Sequence, residues 1–426
     1  MRGIWSRRAR IGAGGVAVLA LLLSGCAGDP GPKYSPVAQV EGPLPEDVQA
    51  QLSEAATAAM AAAGASGAIV GVWAPWSGSW VQALGTAGPG KDAPAKTDMT
   101  FRIADVTRLM TCDVLYALAD RGTVKLGDPV TEYVSGVPDL KDVTLGQLCD
   151  GTSGLGSAEP AVGASWLNNP DRVWGPKEMA GYGMSKSRTA PGTAYKDSDI
   201  GYFLLGQALE QATGKSAAAL IQQYVTAPLG LGSTRLPAPA PAAPSDGPVL
   251  RGSYLPRKDA GFDCAAPVDI TVSSSSIGYT DSGVVSTIED LGRYAQAEAA
   301  QALRLKEKPA RFENVLPPYD GAPSWLRVAG GAQIVGSMIG QQGWTPGYLT
   351  AAYSDPASGF TVAVVLNNSS AGSVIAQDLA WQLAAIASKV PPASGRTAPE
   401  FALPFTAEQY HADIVAHAVC PIPPKG

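Results

Sequence analysis

Apolar positions along this chain recur at helical spacing in some stretches and at strand spacing in others. Val48, Leu52, Ala55 and Ala59 form a stripe at three- and four-residue intervals, which predicts a helix over Pro45 to Ala63 with proline at its start. Two short runs, Ala68 to Trp73 and Ser79 to Leu84, flank Pro75-Trp76-Ser77-Gly78 and read as strands joined by a turn. From Leu109 to Asp120, the residues Leu109, Met110, Cys112, Val114, Leu115, Leu118 and Ala119 occupy most of a helix's circumference. That helix is therefore expected to be central and buried, closed by Arg121-Gly122. Lys125 to Gly154 reads as loops and a helix that ends in Leu148-Cys149. Ser198 to Thr213 reads as a helix capped by Ser198 or Asp199, with Gly214 after its end. Leu236 to Pro248, rich in Pro and Ala, is expected to be an extended surface excursion. Ser286-Thr287-Ile288-Glu289 has the spacing of a capping box and opens a helix through Ala295. Leu349 to Ser354 and Phe360 to Leu366 read as strands, and Val374 to Ser388 as a helix with Ile375, Leu379, Leu383 and Ile386 aligned. After Pro391 the chain becomes Pro-rich, with one weak helix around Ala407 to Ala416.

Strands near both ends of the sequence thus flank a helical middle. The fold class expected is α/β (α+β): one antiparallel sheet built from N- and C-terminal strands and flanked by helices, with a mostly helical region, residues 111–271, inserted. A composition of 46% hydrophobic and 16% charged residues suits a globular protein, and 49 Gly with 35 Pro suits one rich in loops.

Two features of the N-terminus change the picture. Arg2, Arg7, Arg8 and Arg10 precede a short apolar core, Val16 to Leu23, which is too short to span a bilayer comfortably. Leu23-Ser24-Gly25-Cys26 then resembles the lipobox of bacterial lipoproteins, which implies cleavage before Cys26 and its acylation. The expected organisation is a signal peptide over 1–25, a lipidated tether over 26–44, a main domain over 45–390 and a Pro-rich tail over 391–426. Such a protein would be exported and held by its lipid on the outer face of the cell membrane. Loss of the leader removes four arginines and no acid, taking the net charge from −6 to −10. So acidic a chain is a poor candidate for nucleic acid or for an electrostatic membrane footprint.

Beyond Cys26 there are four cysteines, Cys112, Cys149, Cys264 and Cys420. An even number in an exported protein favours disulfides over metal ligation, and four cysteines allow three pairings. The only histidines, His411 and His417, lie in the tail, which argues against a Ser-His-Asp triad or a histidine zinc site in the main domain. Neither a metal nor another cofactor is expected.

Several connecting motifs occur in order. They include Thr100-Phe101-Arg102-Ile103 before the central helix and Gly122-Thr123-Val124-Lys125-Leu126-Gly127-Asp128-Pro129-Val130 after it. Thr152-Ser153-Gly154-Leu155, Pro191-Gly192-Thr193, Gly201-Tyr202-Phe203-Leu204-Leu205-Gly206, Pro228-Leu229-Gly230 and Gly283-Val284-Val285-Ser286-Thr287 follow. Together these residues resemble the serine β-lactamase and D-alanyl-D-alanine carboxypeptidase family, especially its class C β-lactamase-like branch, over roughly residues 45 to 390. The resemblance implies a β-lactamase/transpeptidase-like fold. It also implies that the helix after the nucleophile packs near the segment before Thr152, which would join Cys112 to Cys149 and leave Cys264 with Cys420.

The resemblance places the family's S-x-x-K motif on Asp105-Val106-Thr107-Arg108, its Y-x-N on Asp197-Ser198-Asp199, and its K-T-G or H-x-G on Gln341-Gln342-Gly343. None of the nucleophilic or charged groups of those motifs is retained. An arginine stays protonated and cannot act as general base, and a carboxylate attacking an acyl group would form a high-energy anhydride. For Asp105 three roles stand open: helix N-cap or structural ion pair, ligand-binding carboxylate, and nucleophile. No serine lies three residues before any lysine, and Ser153 and Ser198 have ordinary turn or capping roles. If the fold is retained, Asp105, Arg108, Asp197 and Asp199 are expected to converge as an ion-paired pocket floor.

Three functional readings follow. The first is a catalytically inactive envelope protein that binds a cell-wall peptide, a glycolipid or a protein partner. The second is a serine-type hydrolase with a non-standard catalytic set. The third is a scaffold at the outer membrane face.

Overall fold

The computed structural model describes residues 34–400 and 403–423; Cys26 and the expected signal peptide lie outside them. The helix Glu46–Ala63 (α1) precedes the strands Gly67–Ala74 (β1) and Gly78–Gly85 (β2). The helices Val106–Asp120 (α2), Leu145–Cys149 (α3), Glu159–Asn168 (α4), Pro176–Met184 (α5), Asp199–Thr213 (α6) and Ile288–Ala299 (α7) fill the middle of the chain. The strands Leu326–Ala329 (β3), Ala332–Val335 (β4), Met338–Thr345 (β5), Tyr348–Ser354 (β6) and Thr361–Leu366 (β7) then lead to the helices Val374–Ala387 (α8) and Ala407–Ala416 (α9).

The seven strands form one sheet in the order β3-β4-β5-β6-β7-β1-β2, antiparallel throughout. Ala68 of β1 lies opposite Leu366 of β7, so the expected union of the two ends of the sequence is what closes the sheet. Both faces are covered. In β7, Val362, Val364 and Leu366 enter one apolar core while Ala363 and Val365 enter the other, the alternation that a pleated strand imposes. The first core is shared with α1, α8 and α9, and the second with α2, α6 and α7. Strands buried on both faces need apolar residues at every position, which is why β1 and β7 read as continuous runs in the sequence.

Two details differ from expectation. The strands β3, β4 and β5 were not predicted: glycine and glutamine break the apolar pattern of β4 and β5, and β3, Leu326-Arg327-Val328-Ala329, is too short to show a period. No capping box forms at Ser286: Thr287 stands at the helix start without a side-chain cap, and the Ser286 hydroxyl meets that of Thr234 at 2.8 Å. The Pro-rich tail is docked on the body, as the implied Cys264–Cys420 pairing requires. Tyr410 and Ile414 of α9 are buried, and the Val419 and Cys420 amides donate to the Ala62 carbonyl. Both implied disulfides are present, Cys112–Cys149 with Cα atoms 5.6 Å apart and Cys264–Cys420 with Cα atoms 5.9 Å apart.

Candidate functional site

The site is built at the head of α2. The two-residue strand Phe101–Arg102 pairs with Val285–Ser286, and the Ile103 amide donates to the Val284 carbonyl, fixing the chain just before the helix. Ala104 then takes a left-handed conformation at φ 49°, which costs a non-glycine residue about 1–2 kcal/mol. The kink sets Asp105 at the helix start, against β5. A Cβ at Gly343 would lie 2.2 Å from the Asp105 Cγ, so only glycine lets this carboxylate lie flat on the strand.

Asp105 does not act as a side-chain N-cap; its carboxylate makes no capping hydrogen bond. It is an ion-pair partner instead, 3.3 Å from Arg108 Nη2. Arg108 is the hub. Its Nε donates to Asp281 at 2.7 Å, its Nη1 donates to Asp197 at 2.5 Å, and its guanidinium lies over the Tyr202 ring at 4.9 Å. Burial works against the charge of this 6%-exposed side chain, but the three carboxylates outweigh it and keep the group protonated. Loss of water pushes Asp105 well above the usual carboxylate range, against the pull of Arg108 and reinforced by Asp281 and Asp197. Burial also raises Asp281. Burial raises Asp197 too, but the Arg108 charge and hydrogen bonds from Arg108 and Tyr195 bring it below its ordinary value.

Asp281 is the residue that sequence reasoning missed. It sits in the short helix Tyr279–Ser282 within a serine-rich stretch, and no local pattern connects it to Arg108. Asp199 departs from expectation in the other direction. Among the described residues it pairs with no cation; its carboxylate accepts the amides of Ala158 at 2.9 Å and Glu159 at 3.0 Å, and so caps α4 from outside. Burial, and then the charge of Asp281, push Asp199 up to about 7. Gln341 is locked to the backbone, donating to the Gly331 carbonyl at 2.8 Å and accepting the Gln342 amide at 2.9 Å. The expected convergence therefore holds for Asp105, Arg108 and Asp197, with Asp281 as the third acid and Asp199 as a neighbour.

These groups form the floor of a cavity of about 690 Å³, within the range of small-ligand sites. Besides the Arg108 nest it is lined by Trp166 and Trp344, which pack on each other with ring centroids 6.2 Å apart, and by Tyr319, Trp325 and the docked tail. Tyr410, Asp413 and His417 of the tail line its far end. His417 Nδ1 is 3.0 Å from Asp378, whose carboxyl burial pushes up to about 6 despite the hydrogen bond from the imidazole. The sequence placed both histidines outside the main domain, and the docking of α9 brings one of them to the cleft. Among the described residues no group of three or more His, Cys, Asp or Glu side chains is placed to hold a metal ion.

The chain is 34% identical over 222 residues to the D-alanyl-D-alanine-carboxypeptidase/endopeptidase AmpH of Escherichia coli K12, covering 50% of this chain and 53% of that one. It is 30% identical over 167 residues to the esterase EstB of Burkholderia gladioli, covering 35% and 42% of the two chains. The chain thus spans about half the length of the curated relatives it matches. Among solved structures, the D-stereospecific amidohydrolase from Streptomyces sp. superposes with a TM-score of 0.66 at 22% identity, over 75% of this chain and 94% of that one. The octameric penicillin-binding protein homologue from Pyrococcus abyssi gives 0.66 at 20% identity, over 80% and 78%. At such identities these two likenesses establish the fold. The Beta-lactamase family model matches residues 52–386, the whole of the sheet and all of the Arg108 nest, and the chain belongs to that family.

Proposed function

We propose that this protein is a cell-envelope lipoprotein whose β-lactamase-type cleft binds a cell-wall ligand without catalysing the acyl transfer of the family. One observation carries the reading. Where the family resemblance expects a serine, its lysine and a tyrosine, a protonated Arg108 is tied to Asp105, Asp197 and Asp281. A nucleophile here would need a base to take its proton, and a guanidinium cannot be that base. Asp105 is spent on its ion pair and raised toward its neutral form, which makes it a poor attacking group. The cavity supports binding over a scaffolding role, because the substitutions leave the site open.

The names of the relatives favour a second reading, a serine-type hydrolase with another catalytic set. The two serines weighed from the sequence argue against it. Ser198 Oγ donates to the Gly156 carbonyl and accepts the Gly201 amide, and Ser153 Oγ accepts the Leu155 amide. Neither is hydrogen-bonded to a basic side chain among the described residues. Labelling with a fluorescent penicillin and with a fluorophosphonate separates the readings. The expected result is no covalent adduct; an adduct lost in Asp105→Asn or Ser198→Ala would establish the hydrolase. The lipid anchor has its own test: incorporation of labelled palmitate is expected in the full chain and lost in Cys26→Ala.

A further inference from the structure

Away from Arg108 the cleft changes character, and we infer that its outer half is a saccharide subsite that takes uncharged, hydroxyl-rich sugar rings. The rings could belong to a glycan chain or to a glycolipid headgroup; the recognition chemistry is shared. The inference rests on the binding reading above and names the ligand class for it.

Three observations lead there. First, the nest end of the cleft is unsuited to anions. Arg108 has its Nε, Nη1 and Nη2 groups committed to Asp281, Asp197 and Asp105, so a ligand carboxylate or phosphate would meet acids and no available guanidinium. Second, the outer half presents rigid aromatic faces. Tyr319 is 58% exposed on the loop before β3, and half-buried Trp325 stands beside it in the lining. Trp325 is fixed from behind by Trp381 at 5.9 Å, and Trp381 in turn by Tyr410 at 5.1 Å, so a stacking ligand would order little side-chain freedom. The apolar C–H face of a sugar ring matches such a surface, while its rim of hydroxyls needs polar partners.

Third, the wall supplies those partners as amides. The Gln342 side-chain carbonyl has no hydrogen-bond partner among the described residues. The Gln333 Oε1 accepts the Tyr353 hydroxyl at 2.6 Å, which leaves its NH₂ group to donate into the cleft it lines. An amide offers a donor and an acceptor in one plane, as does each sugar hydroxyl, whereas a cationic ligand would use only the acceptors. Gln342 Oε1 is shielded from solvent in the free protein, so a turn of its amide toward the cleft would let a bound hydroxyl satisfy a carbonyl that otherwise lacks a donor.

The test is calorimetric titration of the purified full chain with chitotetraose, cellotetraose and maltotetraose, alongside an oligogalacturonate of equal length and spermidine. At least one neutral tetrasaccharide is expected to bind, with the uronate about tenfold weaker or worse. Tyr319→Ala and Gln342→Ala are each expected to weaken binding about tenfold, and Val268→Ala, exposed outside the cleft, to leave it unchanged. Thermal melts matching the parent chain exclude misfolding as the cause. Phosphatidylcholine vesicles with and without a digalactosyl lipid separate the two sources: preference for the vesicle-borne sugar marks a headgroup, and equal or better binding of the free sugar marks a glycan. If none of the neutral sugars binds, if Tyr319→Ala and Gln342→Ala leave binding intact, or if spermidine binds in their place, the inference is overturned. A positive fluorophosphonate label would instead overturn the non-catalytic reading alone, since it leaves the sugar titration untouched.

Discussion

Two guanidinium groups are buried against the same helix, in different company. Arg311 reaches α2 with a side chain 1% exposed; its Nη1 lies 2.5 Å from Asp113 and 2.8 Å from Glu298. It also donates from Nε to the Gly330 carbonyl and from Nη2 to the Leu109 carbonyl, and Tyr294 donates its hydroxyl to Asp113. Arg108 holds three carboxylates, one of which, Asp197, has a side chain 57% exposed at the cleft. The Arg311 nest is sealed and serves the fold. The Arg108 nest holds one acid more than the Arg311 nest and faces an open cavity, an arrangement that stability alone does not require. Charge lodged in a sealed interior must be matched on the spot, whereas charge at a cleft can be met by water, protons or a ligand.

Removing each hub tests that contrast. Arg311→Met leaves Asp113 and Glu298 without a cation in a dry interior, and a loss of about 3–5 kcal/mol in urea denaturation is expected, or no folded protein at all. Arg108→Met strands three acids of which one, Asp197, is open to water at the cleft, so the expected loss is smaller, about 1–3 kcal/mol at neutral pH, and it should shrink as the pH falls and the acids take up protons. Equal losses would erase the distinction. Asp197→Asn touches the exposed arm of the nest, and a change below about 1 kcal/mol is expected by the same measurement.

The last prediction concerns slope. Asp199 is raised to about 7, and Asp150 and Asp378 to about 6. Groups whose folded pKa is raised hold more protons folded than unfolded, so the stability they support is complete below the ordinary carboxylate pKa. It is lost as the pH climbs through about 4 to 7. Denaturation midpoints should fall across that window, and Asp199→Asn should flatten the fall. A stability that rises between about pH 5 and about pH 7 would contradict the burial assigned to these acids.

Much of the frame was legible in the sequence. The stripes of α1, α2, α6 and α8 mark apolar faces, and Ser198 with Gly214 punctuates α6 as its sequence suggests. The three strands from Leu326 to Thr345 were not legible. Strand β5 carries Gly340, Gln341, Gln342 and Gly343, residues chosen for close approach and for lining a cleft rather than for a pleated core. The nest was legible in part. Asp105 and Arg108 are helical neighbours, and Asp197 came with the family motif. Asp281 joins them only because the fold brings its short helix onto α2, and Asp199 was drawn off by the amides of α4. Long-range charge pairing leaves no periodic trace.

The pairing of β1 with β7 also sets a timetable for folding. β1 belongs to the first part of the chain to be made, and its neighbour β7 to nearly the last, with Ala68 set against Leu366. Until the whole intervening chain has emerged, one edge of the β1–β2 hairpin stays unpaired, a template for aggregation that only late closure removes. Chains cut short before β7 should therefore fail as sheets rather than survive as smaller domains, and whatever holds the growing polypeptide in the meantime becomes part of how this protein reaches its fold.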